Sequence, residues 1–583
     1  MKKLLIILSI LIFAGQAWGA TFTVCPSGCD ETTIQAVFDN NDLAANDIVD
    51  ITDNGVYREL VTWGANDGGT SGNPVVLKSS GGATISGLNV VTTWADEGSN
   101  VWSATLTTDP NYVWFDDDFG TEESAQIDVD AEFDWYWNAN TLYVYSTSDP
   151  DSAYTEIGAS IRLYCIDTNS VDFTKIDGTS KTGLQLEGGS YSILSDGTDA
   201  EITGLRITKG LRGISTGGVN QTVTGNEISI YIGEGVFLNT GSDNSTVSSN
   251  YIHDGGLLAT ADRTCIGIYQ TSSVDVLENI CLDGHNGIEI AGAAGDTGIT
   301  VSSNLIKNGA GWGCQWSNAN SGEFSSNIID NVTGSYGFRA SSYSANAQII
   351  DIVNNTFKDS SSGSTPHIYL YDADDTAGHA STAYTVKSNI SLNPNDNHIT
   401  VKDNLVANTT IDYNLYNPEG DNMWIWDTTF DVDTVAEWQA ACSQDANATN
   451  TDPNLNTNYR PKPGLWSAGT DVGLDTDYYG VWQSSDWIGA VGEGLRTSFI
   501  ISSFDADTLV KDSPLQVVHL LLTGYTSAKT VTFIDKDGDP VLVLECPAGK
   551  NMSWSGGPFF NGLYFDSSAS DFASGDLIQI WTR

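Results

Sequence analysis

NEISIYIGEGVFLNTGSDNSTVSSNYIHD, residues 226–254, holds one full period of the pattern that decides the fold. The stretch contains the same signature twice, an asparagine followed by any residue and then an apolar one. That signature recurs at intervals of 23 to 34 residues, at Asn226, Asn250, Asn279, Asn304, Asn327, Asn355 and Asn389. A second signature, glycine followed by a short alternating strand, lies between these asparagines at Gly213, Gly235, Gly267, Gly287, Gly313 and Gly337, and His367 and His398 continue it.

A period in the twenties with two short strands suits one coil of a right-handed parallel β-helix. It is too short for a propeller blade, and the spaced leucines of a leucine-rich repeat are missing. One coil cannot bury its own apolar positions, so coils must stack strand over strand about 4.8 Å apart. Asparagines at one register then form a ladder of side-chain amides. The sequence therefore predicts an all-β fold, a right-handed single-stranded parallel β-helix, with its asparagines one above another.

The strands that follow the glycines predict an outward-facing row. In such a strand the apolar residues face the core, and the residue between them faces out. Stacking then aligns Ser215, Phe237, Tyr269, Glu289, Gln315, Arg339, Tyr369 and Thr400 on one external sheet. Rings, a carboxylate, an amide and a guanidinium are the groups that grip a sugar polymer. The alternative is a plain solvated sheet, although such a sheet would show fewer large rings.

A second pair of rows follows the asparagine signature. The first contains Ser229, His253, Leu282, Lys307, Asp330 and Lys358, and the next contains Asp254, Asp283, Asn308, Asn331 and Asp359. Regular Asp and Asn at one register are first of all a turn device, because their side chains cap tight turns. This turn leads into the aromatic-bearing sheet, so its side chains also border any groove there.

The richest cluster of reactive side chains lies between residues 253 and 289. Hydrolysis of a glycosidic bond needs one carboxyl as acid and another as base or nucleophile. The candidate catalytic residues are Asp254, Asp262, Asp283, His285 and Glu289. The candidate substrate-binding residues are His253, Arg263, Tyr269, Gln315, Arg339, Tyr369 and Phe237.

The rival chemistry is β-elimination on a uronate. It needs a cation to neutralise the carboxylate and a Lys, Arg or His as base. Arg263, Arg339, Lys307 and His253 are candidates for the base. Hydrolysis requires no cofactor, whereas elimination would draw on Ca²⁺, as in pectate lyases. The sequence identifies no set of metal ligands.

Charge and the amino terminus predict an exported protein. The chain carries 24 basic and 74 acidic residues, a formal net charge of −50. Such a surface repels nucleic acid and anionic membranes. Lys2 and Lys3 precede an apolar run from Leu4 to Ala14 and small residues near Gly19, as in a removable signal peptide. No later segment is apolar and long enough to span a membrane.

The eight cysteines fit an oxidising compartment, in which disulfides are permitted. Cys25 and Cys29 are close enough in sequence to bridge a turn. Cys281 and Cys314 occupy inward strand positions, where a free thiol behaves as a small apolar residue.

The chain divides into segments of different composition. They are a signal peptide (1–20), a cap with the first coils (21–93), an aromatic-rich β insertion (94–160), the β-helix coils (161–420), a C-terminal cap (421–497) and a β-sandwich (498–583). The T-I-Q-A helix after the first strand, at 33–36, resembles the start of pectate-lyase-like β-helix proteins. The insertion resembles those of β-helix glycosidases, and G-P-F-F-N-G-L-Y-F-D at 557–566 resembles modules of phage virion proteins.

These features favour a secreted or surface protein that binds and cleaves a polysaccharide or cell-surface glycan, with hydrolysis ahead of lyase chemistry. The alternative is a non-catalytic adhesin or a receptor-binding protein similar to phage tailspikes. The expected partner is a glycan rather than nucleic acid, with no membrane span. A monomer and a homotrimer both remain open, because no coiled coil is encoded.

Overall fold

The computed structural model describes residues 19–491, with gaps at 258–262, 294, 343–347, 361–365, 373–381, 403–404, 406–407, 421–423, 427–429, 463–464, 466–467, 475 and 480–486, and the backbone of strands between 498 and 582. Most of the predicted signal peptide, residues 1–18, and the candidate catalytic residue Asp262 lie outside the described residues.

Parallel sheets, here named A, B and C, run through the coils of the described chain. Sheet A contains Thr21–Val24, Ile48–Ile51, Val75–Ser79, Thr174–Asp177, Glu201–Thr203, Thr222–Thr224, Thr246–Ser248, Asp275–Leu277, Ile299–Ser302, Ser321–Ser325, Ile349–Val353, Ala383–Lys387 and Thr409–Asp412. Sheet B contains Val56–Tyr57, Thr84–Ser86, Gln185–Glu187, Arg206–Thr208, Glu227–Ser229, Tyr251–His253, Ile280–Leu282, Leu305–Lys307, Ile328–Val332, Thr356–Ser360, Ile390–Leu392 and Leu415–Asn417. Sheet C contains Val61–Thr62, Tyr164–Asp167, Tyr191–Ser195, Arg212–Thr216, Val236–Leu238, Thr264–Tyr269, Asn286–Ala291, Cys314–Ser317, Phe338–Ser342, Ile368–Asp372, Ile399–Val401, Trp424–Trp426 and the antiparallel Phe430–Val432.

Each coil contributes one strand to each sheet and buries the alternate side chains. In one coil Val247 of sheet A, Ile252 of sheet B and Ile266 of sheet C all belong to the common core. Each pairs with the same position of the next coil, Val247 with Val276 and Ile266 with Ile288. Burying such a side chain stabilises the fold by about 1.5–3 kcal/mol, so the stack is held by its repeated apolar rows. The predicted parallel β-helix is confirmed.

The predicted asparagine ladder is present in the core. The backbone N–H and the Nδ2 of Asn226 both donate to Oδ1 of Asn250, each at 3.0 Å. The same pair of bonds links the following members, Asn279, Asn304, Asn327, Asn355, Asn389 and Asn414. The ladder therefore extends one coil further than the sequence pattern indicated.

The glycine row marks the corner at which sheet C begins. A Cβ at Gly213 would lie 2.7 Å from Cγ2 of Ile228, and one at Gly287 would lie 2.8 Å from Cγ2 of Ile306. Because the facing side chain of sheet B fills this corner, the residue opposite must have no side chain. The same relation joins Gly235 to Ile252, Gly313 to Ile329 and Gly337 to Phe357.

One coil departs from this rule, and two predictions from the sequence are wrong there. Ile266 pairs with Val236 above and Ile288 below, so Cys265, not Gly267, holds the glycine register. Cys265 forms a disulfide with Cys281, which stands where neighbouring coils have isoleucine. The prediction of a free thiol at Cys281 was therefore wrong, because the disulfide fills the corner.

The remaining cysteine predictions agree with the structure. Cys25 and Cys29 are joined in a disulfide across the turn. Cys314 is free and buried, and burial raises the pKa of its thiol well above the usual value. It occupies an inward position of sheet C between Ile288 and Phe338, where it packs as a small apolar residue.

A short helix covers the first coils. The helix Ile34–Asn40 begins at the N-cap Thr33, whose side chain accepts from the Ala36 N–H. Its buried residues Ile34, Val37 and Phe38 join the common core. The helix therefore shields the open end of the stack, which would otherwise present unpaired strand edges.

Residues 88–160 form two antiparallel-rich sheets beside the coils. One contains Asp118–Phe119, Tyr112–Phe115, Ile157–Ser160 and Leu88–Val90; the other contains Thr121–Glu122, Asp134–Asn138, Thr141–Tyr145, Val101–Thr105 and Ala95–Gly98. Two short helical turns, Gln126–Asp128 and Pro150–Ala153, complete this insertion. Trp114 packs with Leu88 and with Ile232 of the coils, which fixes the insertion against the stack.

The chain beyond the last coil turns back along sheet B. After the helix Val435–Cys442, the described residues between 453 and 491 form a strap. Ile488 packs on Ile390 and Leu415, and Val491 packs on Ile328. Gly489 N–H donates to Ser388 O at 2.7 Å, and Ala490 N–H donates to Thr356 Oγ1 at 2.9 Å. The strap therefore spans several coils rather than closing only the last one.

The last part of the chain is all β. Its strands are Ser498–Ile501, Thr508–Thr523, Lys529–Ile534, Pro540–Cys546, Met552–Ser555, Phe559–Phe565 and Leu577–Thr582. They pair antiparallel, with Thr508–Thr523 bonded to several of the others. A β-sandwich remains a prediction for this segment. None of the helices in the described residues is long and apolar enough to cross a membrane.

Candidate functional site

A cavity of about 380 Å³ opens on the outer face of sheet C. Its walls are formed by Arg212, Glu234, Phe237, Asn239, Thr264, Gly267, Ile268, Tyr269, Glu289 and Ala291. We call this cavity, together with the outward row that continues from it to Thr400, the sheet C groove. Three of the predicted site residues, Phe237, Tyr269 and Glu289, therefore share one cavity.

The outward row matches the prediction except at one position. Ser215 pairs with Phe237, Glu289 with Gln315, Arg339 with Tyr369, and Tyr369 with Thr400. Gly267 takes the position assigned to Tyr269, because the disulfide at Cys265 shifts the register of the signature by two residues. Tyr269 still faces outward and stacks on Phe237, with ring centroids 6.5 Å apart.

Glu289 lies at the centre of a hydrogen-bonded chain along the groove. Its Oε2 accepts from Thr264 Oγ1, and its Oε1 accepts from Gln315 Nε2, both at 3.3 Å. Gln315 Oε1 in turn accepts from the Tyr336 hydroxyl at 3.0 Å, and that hydroxyl accepts from Arg339 Nη1 at 2.7 Å. Every link points its donor toward Glu289, so the chain stabilises the ionised carboxylate.

Arg212 and Glu234 form a pair that the sequence analysis missed. Arg212 Nε and Nη2 donate to the two carboxylate oxygens of Glu234 at 2.8 and 3.0 Å. The guanidinium also lies over the Phe237 ring, 4.1 Å from its centroid. Both residues directly precede a glycine of the repeat, so opposite charges in successive coils were the available signal. Glu234 brings a second carboxylate into the cavity of Glu289.

Aromatic rings flank the cavity along the stacking direction. On one side Tyr164 and Tyr191 lie 5.7 Å apart, and Arg212 lies over Tyr191. On the other side the rings form a contiguous series, Trp312, Tyr336, Tyr369 and Tyr371. Such rings offer flat apolar faces at successive coils, about 4.8 Å apart.

His285 and Arg263 lie side by side at the edge of sheet C, each directly before a strand. A Cβ built on Gly256 would lie 3.0 Å from His285 Cβ and 3.2 Å from Arg263 Cβ. His285 Nδ1 lies 2.7 Å from Asn286 Oδ1, which makes Nδ1 the donor and leaves Nε2 as the basic nitrogen. Burial and the neighbouring Arg263 lower the pKa of His285, so its imidazole is neutral at pH 7. Arg263 Nε is buried with no hydrogen-bond partner among the described residues.

The candidate aspartates of the turn lie elsewhere. Asp254 and Asp283 both have a φ of 52°, in the left-handed region, as do Asn308, Asn331 and Asp359 of the same row. Asn308 Nδ2 donates to Asp283 Oδ1 at 2.8 Å, so this row is a second amide ladder that holds the turns. The turn interpretation therefore accounts for Asp283. Asp254 lines a different cavity, formed with the insertion.

His253 belongs to the outer side of sheet B rather than to the groove. Its Nδ1 lies 2.7 Å from Asp254 Oδ2, and its ring stacks on Tyr251 with centroids 4.2 Å apart. No cluster of three or more metal-binding side chains occurs in the part of the chain that the structure describes.

Comparison with known proteins agrees with this architecture. Residues 159–329 match the family described as the right handed beta helix region. This region is a right-handed β-helix. No curated protein sequence matches the chain.

The β-helix is also similar to solved structures. A structure of XylC in complex with xylose is 12% identical, covers 81% of this chain and 98% of its own, and has a TM-score of 0.54. Pectate lyase Pel9A is 12% identical over 82% of this chain and 97% of its own, with a TM-score of 0.39. Tailspike gp61 of Pseudomonas phage phi297 is 9% identical over 94% and 91%, with a TM-score of 0.27. At such identities the similarity to XylC concerns the fold alone.

Proposed function

We propose that this protein is exported, binds a polysaccharide along the sheet C groove and cleaves it by glycoside hydrolysis. The observation that carries the proposal is one cavity that holds Glu289 and Glu234 between two series of aromatic rings. Rings on both sides would bind sugar units on both sides of the carboxylates. This arrangement suits cleavage within a polymer.

The roles of the carboxylates follow from their partners. Glu289 receives hydrogen bonds from Thr264 and Gln315, donors that match a carboxylate acting as base or nucleophile. Glu234, paired with Arg212, places a second negative group where positive charge develops on the sugar ring. For the proton donor to the leaving oxygen we propose Asp262, which stands two residues before Thr264 in the sequence.

Lyase chemistry is the second candidate, and His285 favours it. A neutral imidazole with Nε2 as the basic nitrogen could remove the proton beside a uronate carboxylate. The adjacent Arg263 would neutralise that carboxylate. The sequence suggested Arg263, Arg339, Lys307 or His253 as the base. We propose His285 in that role, and His253 lies on sheet B, outside the groove.

A glycan panel distinguishes these functions. Purified protein is incubated with each glycan, with and without Ca²⁺, and new reducing ends and the absorbance of unsaturated uronates are recorded. Reducing ends without that absorbance indicate a hydrolase, and both together indicate a lyase. Retention on a glycan without cleavage would leave the non-catalytic binder as the correct function.

The variant Glu289→Gln tests the catalytic carboxylate. We expect a loss of at least about 100-fold in kcat with little change in KM, because general acid–base groups contribute about 10²–10⁴-fold. Glu323→Gln is the matched control, since Glu323 lies on sheet A, away from the groove. If His285→Gln alone removes activity while Glu289→Gln retains it, elimination replaces hydrolysis as the mechanism.

A further inference from the structure

A cavity separate from the sheet C groove lies between the insertion and the coils. It has a volume of about 730 Å³. The insertion contributes Asn111, Tyr112, Asp117, Asp118, Phe119, Gly120, Thr121, Glu122 and Trp135, and the coils contribute Ile230, Asp254 and Leu257. We call it the insertion cleft.

The two walls of the cleft, the insertion and the coils, are held together by ion pairs and apolar contacts. Lys209 of the coils, with a side chain 12% exposed, binds Asp117 of the insertion at 3.2 Å and Glu187 of the coils at 3.1 Å. Phe119 and Tyr112 pack with Ile230 in the cluster that holds the insertion on the stack. The walls therefore need no large rearrangement to receive a ligand.

The walls of the cleft combine aromatic and apolar groups with negatively charged ones. Tyr112 and Phe119 offer rings 5.8 Å apart, and Leu257 is 43% exposed at the rim. The charged residues of the wall are carboxylates, Asp117, Asp118, Glu122 and Asp254, and none of the described lining residues is Lys, Arg or His. Ionised carboxylates only accept hydrogen bonds, so the matching ligand is rich in donors and carries no negative charge.

Trp135, which lines the cleft, carries an unpartnered hydrogen-bond donor. The side chain is 1% exposed, and its Nε1–H has no hydrogen-bond partner among the described residues. A Cβ on Gly120 of the cleft wall would lie 2.8 Å from Trp135 Cδ1, the atom bonded to Nε1. This unused donor thus lies at the cleft wall, where a ligand oxygen would satisfy it.

We propose that the insertion cleft is a second saccharide site, separate from the sheet C groove, and that it takes sugar units without negative charge, amino sugars above all. The rings bind the apolar face of the sugar, the carboxylates accept from its hydroxyl and ammonium groups, and Trp135 donates to a ring or hydroxyl oxygen. Uronates are repelled. The site needs no catalytic activity in the groove.

The test is calorimetric titration of the full chain with hexasaccharides of glucosamine, glucose and galacturonate. Measurements at about 0.15 M salt keep the Debye length near ~8 Å, which suppresses attraction by the overall negative charge. We expect glucosamine to bind most tightly, glucose more weakly, and galacturonate not measurably.

Variants locate the binding. Asp118→Asn combined with Glu122→Gln should weaken glucosamine binding about fivefold to tenfold and leave glucose binding nearly unchanged. Glu123→Gln combined with Glu132→Gln removes two carboxylates of the insertion that do not line the cleft, so it is the charge-matched control and should bind as the parent does. Tyr369→Ala reports how much the sheet C groove contributes to the same titrations.

Several results would overturn the site. These are galacturonate binding as tight as glucosamine binding, equal losses in the control double variant and in Asp118→Asn with Glu122→Gln, a loss of glucosamine binding in Tyr369→Ala but not in Asp118→Asn with Glu122→Gln, or no binding of any of the three hexasaccharides. Melting curves of each variant show whether it is folded, and the two polar substitutions at the rim keep the aromatic core of the insertion intact.

Discussion

At the scale of single residues, asparagine is the side chain that the coils require. Asn304 Oδ1 accepts from the backbone N–H and Nδ2 of Asn279, while Asn304 Nδ2 donates to Val276 O and to Asn327 Oδ1. Only a short amide offers both an acceptor and a two-proton donor at this reach. Aspartate would lack the donor, and an apolar residue would lack both.

Asn304→Ala should therefore lower the free energy of unfolding by about 2–4 kcal/mol, because it leaves buried donors and an acceptor without partners. The control is Asn308→Ala, which removes two bonds of the turn ladder, one to Asp283 and one from Asn331, and should cost less, about 1–2 kcal/mol. Chemical denaturation followed by circular dichroism measures both. Equal losses in the two variants would contradict the importance of the buried ladder.

Two buried histidines, His367 and His398, continue the glycine row at the corner between sheets B and C. His398 Nε2 donates to Pro418 O at 2.8 Å, so its Nδ1 accepts from Ser391 Oγ at 2.7 Å. Ser391 Oγ then accepts from His367 Nδ1 at 2.7 Å. Ser391 stands where the preceding coil has Phe357. At this corner His367 on sheet C is large and Ser391 on sheet B is small. In the preceding coil the sizes are reversed, with the small Gly337 on sheet C and the large Phe357 on sheet B.

His398 should make stability depend on pH. Burial lowers its pKa in the folded chain to about 3, whereas in the unfolded chain it is near ~6.5. The unfolded chain therefore binds a proton first as the pH falls, and folding stability drops between about pH 6.5 and 3. Over the range from pH 6.5 to 5 we expect a loss of about 2 kcal/mol from this residue.

Comparison of the parent with His398→Gln measures this effect. His367, whose pKa is also lowered well below its usual value by burial and by His398, acts in the same sense and is present in both proteins. Asp445, whose buried carboxyl has a pKa raised to about 6, acts in the opposite sense and is present in both proteins. The variant should be less stable at pH 7.5 but show a flatter dependence below pH 6.5 in urea denaturation. Parallel curves for the parent and His398→Gln would show that His398 does not cause the dependence.

At the scale of the element, the corner between sheets B and C obeys a volume rule. Four coils pair glycine with isoleucine, one pairs Gly337 with Phe357, and one replaces the pair by the disulfide Cys265–Cys281. The sequence displayed the glycines clearly, because their spacing repeats. It did not reveal the coil with the disulfide, because Gly267 matches the glycine signature but lies two residues after Cys265, which holds the glycine position in the structure.

The corner rule predicts the behaviour of cysteine replacements. Cys265→Gly together with Cys281→Ile should restore the pair found in neighbouring coils, and reductant should lower its melting temperature only through the remaining disulfide, Cys25–Cys29. The parent should lose about 3 kcal/mol on reduction, the value for a loop of this length. Cys281→Ile alone should be the least stable of the three, because the Cys265 side chain then competes for the same space.

Calorimetry with and without dithiothreitol makes this comparison. The disulfide Cys25–Cys29 is present in both the parent and the double variant, so its reduction cancels in the difference. A double variant that melts below Cys281→Ile would refute the corner rule.

At the scale of the whole molecule, the strap 453–491 converts an exposed sheet face into a core. The middle residue of the asparagine signature faces outward on sheet B, and it changes along the chain from Glu227 and Tyr251 to Leu305, Ile328, Ile390 and Leu415. Ile328 and Ile390 are fully buried under the strap. The sequence shows this change from polar to apolar residues on the outer face of sheet B. It does not show that the strap covers this face, because the strap lies far away along the chain.

Ile488→Ala should loosen the strap without unfolding the coils. Ile488 is fully buried against Ile390 and Leu415, so truncation should cost about 2–4 kcal/mol of strap docking. Limited proteolysis should then cut between 453 and 491, while amide exchange of the asparagine ladder stays slow. Leu455→Ala, which is only partly buried, should have a smaller effect. Simultaneous loss of ladder protection would show that strap and coils unfold as one unit.

The sequence by itself determined the stack of coils, the asparagine ladder and most of the outward row with Glu289, Gln315, Arg339 and Tyr369. It could do so because neighbouring coils are consecutive in the chain, so contacts in space appear as repetition in sequence. Only the tertiary structure decided the pairing of Arg212 with Glu234, the register at Gly267, the place of Asp254 in the insertion cleft and the path of the strap. The first two depend on particular side chains in neighbouring coils, and the last two depend on segments more than one coil apart, whose contacts leave no periodic trace.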